Sequence, residues 1–157
     1  MPRHSAGLLP HRLRPGGGLE VFLAHMGGPF WARRPRAWSI VKGEYDPRAE
    51  DPVAAAEREF AEEIGAPAPV GERLDLGDVR QSGGKIVRVH AVAPESDLVF
   101  VASNTVEIEW PPRSGRRQRV PEVDRAEWLA VGEAREVLVA AQTEFLDRLL
   151  EHVGRPR

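Results

Sequence analysis

Apolar residues recur densely over 4–13 and again over 19–26, and Pro15-Gly16-Gly17-Gly18 separates the two runs. That pattern predicts two β-strands joined as a hairpin. Gly27 to Arg36 reads as a loop rich in Gly, Pro and Arg. Ala37 to Val41 reads as a short apolar strand running into Lys42-Gly43. The period then changes. Val53, Ala56, Phe60 and Ile64 recur at helical spacing, which predicts a helix with that stripe buried. Asp51 suits its N-cap and Pro52 its first turn; Gly65 ends it, and Pro67 and Pro69 prevent its continuation. Residues 70–81 and 85–93 read as strands around Gly83-Gly84, and 104–110 as another strand. Pro111 to Arg119 reads as a basic loop, and Val123 to Leu129 as a short strand. The tail from Gly132 to His152 predicts one or two helices with Leu138, Ala141, Phe145 and Leu149 on one face. Strands, a helix, more strands and a final helix predict a mixed sheet with helices on its faces.

Length changes this picture little: 157 residues suffice for one domain, 1–157, with a substantial core. No apolar run approaches the roughly 20 residues of a membrane span. Pro10, His11, Arg12 and Arg14 stand where a secretion signal needs an apolar core, so a cytoplasmic location is expected. Having no cysteine, the chain lacks disulfides, thiolate catalysis and cysteine-based zinc sites. The net charge of −2 argues against a stable nucleic-acid partner. The expected partner is a small molecule, bound by a monomer or homodimer. Basic residues are very unequal: twenty arginines and only two lysines, Lys42 and Lys85.

The informative stretch is Arg58-Glu59-Phe60-Ala61-Glu62-Glu63-Ile64-Gly65-Ala66. Side chains three and four apart are neighbours on a helix, so Glu59, Glu62 and Glu63 project together beside the buried stripe. Three crowded carboxylates repel unless a cation sits among them. A hard cation such as Mg²⁺ takes oxygen ligands and holds phosphates. Arg58 is placed to pair with these carboxylates and orient them.

The segment resembles the Nudix box, in which Gly, five residues, Glu and seven residues precede Arg-Glu-apolar-x-Glu-Glu-x-Gly-apolar. Glu50 stands seven residues before Arg58, as the pattern asks, while Gly43 stands six rather than five before Glu50. The resemblance implies a Nudix-type α/β/α sandwich and hydrolysis of a phosphoanhydride in a nucleoside diphosphate linked to another group. It implies Mg²⁺, with Mn²⁺ as substitute, held by Glu59, Glu62, Glu63 and a backbone carbonyl near Gly43. It implies that Glu59, or an extra acid beyond the box, acts as general base; Glu122 is the choice for that acid and Asp124 the reserve. Arg58 joins the catalytic set, with Glu50 and Gly65 as structural members. A non-catalytic Nudix-fold nucleotide-binding or regulatory module is the alternative.

Trp38 to Gly43 also resembles the Trp-x-x-Pro-Lys-Gly segment of Nudix hydrolases of diadenosine and diphosphoinositol polyphosphates, with Val41 in place of the proline. That likeness makes Lys42 a phosphate contact and Trp38 a stacking surface, although a tryptophan in an apolar strand more often belongs to the core. Arg116 and Arg117, in the basic loop, are candidates for capturing a polyphosphate; a merely solvated loop is the competing reading. The histidines His4, His11, His25, His90 and His152 show no ligand spacing. Ser82-Gly83-Gly84-Lys85 reads as a hairpin turn, not a phosphate loop.

Overall fold

A computed structural model describes residues 2–153. β1 (His4–Leu13) is its central strand. One edge of β1 pairs in parallel with β6 (Ile86–Val92), which pairs in turn with β5 (Leu74–Arg80). The other edge is shared. Near its end β1 meets β2 (Leu19–Met26) in the predicted hairpin, through His11, Arg12 and Leu13. Near its start it meets β4 (Val41–Tyr45), with Ala6 opposite Gly43 and Gly7 opposite Lys42. β1 and β2 therefore splay, and residues 38–45 enter the opening.

The single strand expected over Ala37 to Val41 is two. β3 (Trp38–Ser39) pairs with β2 and β4 with β1, and the chain bends at Ile40 between them. A buried side chain makes the bend possible. The Ile40 N–H donates to Gln142 Oε1 at 2.8 Å, and Gln142 Nε2 donates to Ser39 Oγ at 3.1 Å. A backbone donor that leaves the sheet is thus satisfied by a glutamine from far along the chain. Lys42 and Gly43 consequently sit within a strand, not in the loop after one.

β9 (Val123–Ala130) covers the outer edge of β2. α1 (Pro52–Ile64) packs on one face of the sheet over Ala6, Leu8, Phe22 and Val41. α2 (Val131–Val137), a short 3₁₀ turn and α3 (Thr143–Val153) close the other face over Leu9, Val21, Val87 and Val89. This is the expected α/β/α sandwich with a mixed sheet. In the tail, Phe145 and Leu149 are buried on α3 as expected, while Leu138 is extended and bridges to Trp38.

The basic stretch 111–119 is not one loop. β7 (Thr105–Glu109) and β8 (Arg117–Pro121) form a separate hairpin, in which Glu107 faces Arg119 and Glu109 faces Arg117.

Candidate functional site

α1 begins as its sequence dictates: Asp51 Oδ2 accepts from the N–H groups of Val53 and Ala54, at 3.1 and 3.3 Å. It ends at Gly65, which adopts φ 80°, a left-handed conformation that favours glycine. Segment 101–104 then crosses this end: Val101 and Ala102 donate to the Ile64 carbonyl and Asn104 to that of Glu62.

The helix presents two adjacent rows inward. One is Ala56, Phe60 and Ile64; the other is Ala55, Glu59 and Glu63. The expected stripe is therefore shifted, with Val53 only half-buried. Glu59 and Glu63 are 9% and 8% exposed, whereas the Glu62 side chain is 45% exposed. The three carboxylates are not equivalent: two point into the molecule and one rides on its rim.

Glu59 lies directly over β4, where a methyl group on Gly43 would overlap its carboxylate. Glycine at 43 is thus required by this close approach. The extra residue between Gly43 and Glu50 is absorbed by β4 running on to Tyr45 and by a turn. In that turn the Asp46 carbonyl accepts from both Ala49 and Glu50 at 3.0 Å.

Arg58 ties the cluster together. Nε and Nη2 clasp the two Glu50 oxygens at 3.0 and 2.9 Å; Nη1 reaches Glu59 Oε1 at 2.8 Å and Glu62 Oε1 at 3.4 Å. Its guanidinium is held by carboxylates and does not line the cavity, a place that suits orienting Glu59 and Glu62 better than the catalytic part the resemblance implied. Glu50 is the anchor of that clasp.

The cavity beside this cluster measures about 660 Å³. Glu59, Glu62, Glu63, Glu122, Lys42 and Gly43 all line it. Burial, with the nearby Glu122 and Glu59, pushes Glu63 up to about 9. Burial raises Glu59 too, against the pull of the Arg58 hydrogen bond. Lys42 is lowered by burial and then by Lys85, while Glu63, Glu44 and Glu59 pull the other way. Carboxylates are crowded here, and burial and that crowding both favour a proton on Glu63.

Glu122 therefore stands where the motif reading wanted an extra acid. Asp124 does not: it turns to His25, with Oδ1 2.8 Å from Nδ1. Trp38 does not line the cavity. It is buried in the core beneath α3, edge-on to His25, and is no stacking surface for a ligand. Arg116 and Arg117 do not line it either. Strand alternation puts Val106, Ile108 and Val120 on the cavity side of the β7–β8 hairpin. Arg117 instead pairs with Glu107 at 3.4 Å.

Sequence reasoning did not single out for the site several lining residues, three aromatic and one basic among them. Phe30 and Trp31 come from the loop after β2, Trp110 from the end of β7, and Lys85 from the turn before β6. Trp31 lies outside any apolar period, which is the available signal: an indole in a loop has no core to join. Trp110 continues the alternation of Val106 and Ile108 and gives no such signal. Lys85 carried a compositional signal, as one of two lysines in an arginine-rich chain.

A C. elegans Ap4A hydrolase shares 19% identity at TM-score 0.64, covering 95% of this chain and 97% of that one. The NUDIX domain of Shewanella oneidensis NrtR, complexed with ADP ribose, shares 14% at 0.62, covering 98% and 89%. The C-terminal domain of mouse MUTYH, complexed with human PCNA, shares 18% at 0.62, covering 99% and 92%. These likenesses concern the fold. No curated protein matches the sequence. The family described as NUDIX domain matches residues 2–150, nearly the whole chain, and the protein belongs to the Nudix family.

Proposed function

We propose that this protein is a divalent-cation-dependent hydrolase that cleaves a phosphoanhydride bond in a nucleoside diphosphate linked to another group. The carrying observation is that Glu59 and Glu63, buried on one helix row, meet Glu122 from a different element in a cavity that Lys42 and Lys85 also line.

The donor set fits Mg²⁺ or Mn²⁺. It is all carboxylate oxygen, which hard cations prefer, and Gly43 leaves room for the Glu59 carboxylate against β4. Glu59, Glu63 and Glu122 would hold the metal, with Glu62 at the rim and the Gly43 backbone beside them. A bound divalent cation neutralises phosphate charge and acidifies water. The chain's own part is to position and to move a proton. Arg58 holds one oxygen of Glu59, leaving the other free. Glu59 or Glu122 accepts the proton of the attacking water. Lys42 binds phosphoryl oxygen. Water adds to phosphorus and the bridging oxygen leaves with one product: a nucleoside monophosphate and a phosphorylated group, or pyrophosphate from a triphosphate.

Part of the cavity lining is aromatic. Phe30, Trp31 and Trp110 offer flat apolar surfaces of the kind a base stacks on. Similar structures include an Ap4A hydrolase and a domain holding ADP ribose, which agrees with a nucleotide substrate.

The test is a phosphate-release screen over nucleoside triphosphates, dinucleoside polyphosphates and nucleotide sugars, with Mg²⁺ and Mn²⁺. Turnover that requires the metal and falls by about a hundredfold or more in Glu63→Gln is expected, since even supporting residues of metal sites are worth about 10–100-fold. Turnover without metal, or full activity in the variant at saturating metal, refutes the reading. Tight nucleotide binding with no turnover would make this a binding module instead.

A further inference from the structure

The positive charge of the cavity has an unusual source. Among the described residues no arginine lines it, although arginines outnumber lysines ten to one in the chain. Both lysines do, and both are half-buried.

They come from different strands. Lys42 lies on β4, opposite Gly7 of β1. Lys85 ends the β5–β6 turn on the far side of β1. There the Gln81 N–H donates to the Lys85 carbonyl at 2.8 Å, and the following Ile86 N–H to the Arg3 carbonyl at 2.9 Å. The backbone of Lys85 is thus pinned while its side chain reaches into the cavity. Neighbouring strands lie about 4.8 Å apart, so with β1 between them the two backbones are separated by roughly 10 Å or more.

Among the described residues neither ammonium lies within 4.0 Å of a carboxylate oxygen. Glu63, Glu44 and Glu59 attract Lys42 without forming a salt bridge to it, and Glu44 lies 3.5 Å from Arg3. Two unpaired cations facing one cavity repel each other and attract a ligand with several negative charges. Because they arrive from separate strands, they suit oxygens on different phosphates better than one phosphate.

We propose that Lys85 is a substrate-contacting residue that sets phosphate chain length, gripping a phosphate beyond those held by Lys42 and the acidic cluster, so that the cavity favours three or more linked phosphates over two. This rests on the hydrolase reading above and names its substrate class.

The experiment measures calorimetric binding, with Mg²⁺, of two probes that resist hydrolysis: methylenediphosphonate and its three-phosphorus homologue. Wild-type protein should prefer the longer probe. Lys85→Met, which keeps an unbranched stem and loses the charge, should weaken the longer probe about tenfold and the shorter by less than about twofold. Lys85→Arg should restore the preference, and both variants should melt as wild type does. Equal weakening of both probes, unchanged binding, or preference lost in Lys85→Arg as in Lys85→Met overturns the assignment. If wild-type protein hydrolyses nucleotides yet shows no preference for the longer probe, only this inference fails. If it binds neither probe and hydrolyses nothing, the hydrolase reading fails with it.

Discussion

The acidic row of α1 and the arginine-rich β7–β8 hairpin are both runs of like charge, and they use it in opposite directions. Glu59 and Glu63 are turned inward, Glu59 over Gly43, and both lie near Glu122. Arg117 and Arg119 lie on the face of their hairpin opposite Val106 and Val120, and they find local partners: Glu107 for the first and Thr105 for the second. The helix spends its charge on a site that it leaves unsatisfied; the hairpin satisfies its charge at the surface. A run of charge signals a site when its partners are missing, and a solvated face when they are one strand away.

The sharpest way to break the comparison is at Arg58, the one cation that the acidic row keeps for itself. Lysine keeps the charge but cannot clasp both oxygens of Glu50 while reaching Glu59. Arg58→Lys should lower kcat/KM by about 10–100-fold, as outer-shell changes at metal sites do. The midpoint for Mg²⁺ activation should rise in the same variant, because Glu59 is no longer oriented. Near-normal activity with an unshifted metal midpoint would mean that the row orders itself without Arg58.

A second test reads the unsatisfied charge directly, as stability. Glu63 moves from 4.5 to about 9, so the folded metal-free protein holds a proton there that the unfolded chain releases. The stability this gives is fully present below about pH 4.5 and is lost as pH rises towards 9. Glu63→Gln stays neutral throughout. In metal-free buffer its melting temperature should exceed that of wild type at pH 9 and approach it at pH 4.5, each kcal/mol being worth about 2–4 °C in a chain of this size. Glu59 is raised in the same sense and should leave some slope in the variant. Glu50, Asp46 and Asp75 are held low by arginine pairing or backbone hydrogen bonds and act in the acid range instead. Equal slopes in the two proteins would show that Glu63 is ionised in the metal-free fold.

The pattern of the chain made α1, its caps and its acid offsets legible because all are local: each follows from residues within a few turns. Glu122 was legible through the family resemblance. The break at Ile40 was not, since it depends on Gln142, about a hundred residues on. Trp38 was equally ambiguous, because a strand shows which side chains share a face and not which face meets the cavity. Lys85 looked like an ordinary turn residue until β1, pairing with β4 on one edge and β6 on the other, brought both lysines to one cavity. The β7–β8 hairpin was hidden by its own arginines, which made a strand look like a loop.

The smallest expected effect lies on the hairpin and tests the other half of the comparison. Arg116 and Arg117 are exposed, and neither lines the cavity. Whatever they add to substrate capture is long-range attraction, which salt screens over about 10 Å at 0.1 M. Arg117 is also partly compensated by Glu107. Replacing both arginines with alanine should therefore change kcat/KM by less than about twofold at physiological salt, because rim charges tune encounter rates more than bound-state energy. The effect should be similar for short and long phosphate chains and should shrink as salt rises. A loss that grows with phosphate number and survives high salt would instead place these guanidinium groups in contact with substrate. That would require the hairpin to swing its outer face inward on binding, burying charge where Val106 and Val120 now lie, and the division between the two regions would then hold only for the ligand-free protein.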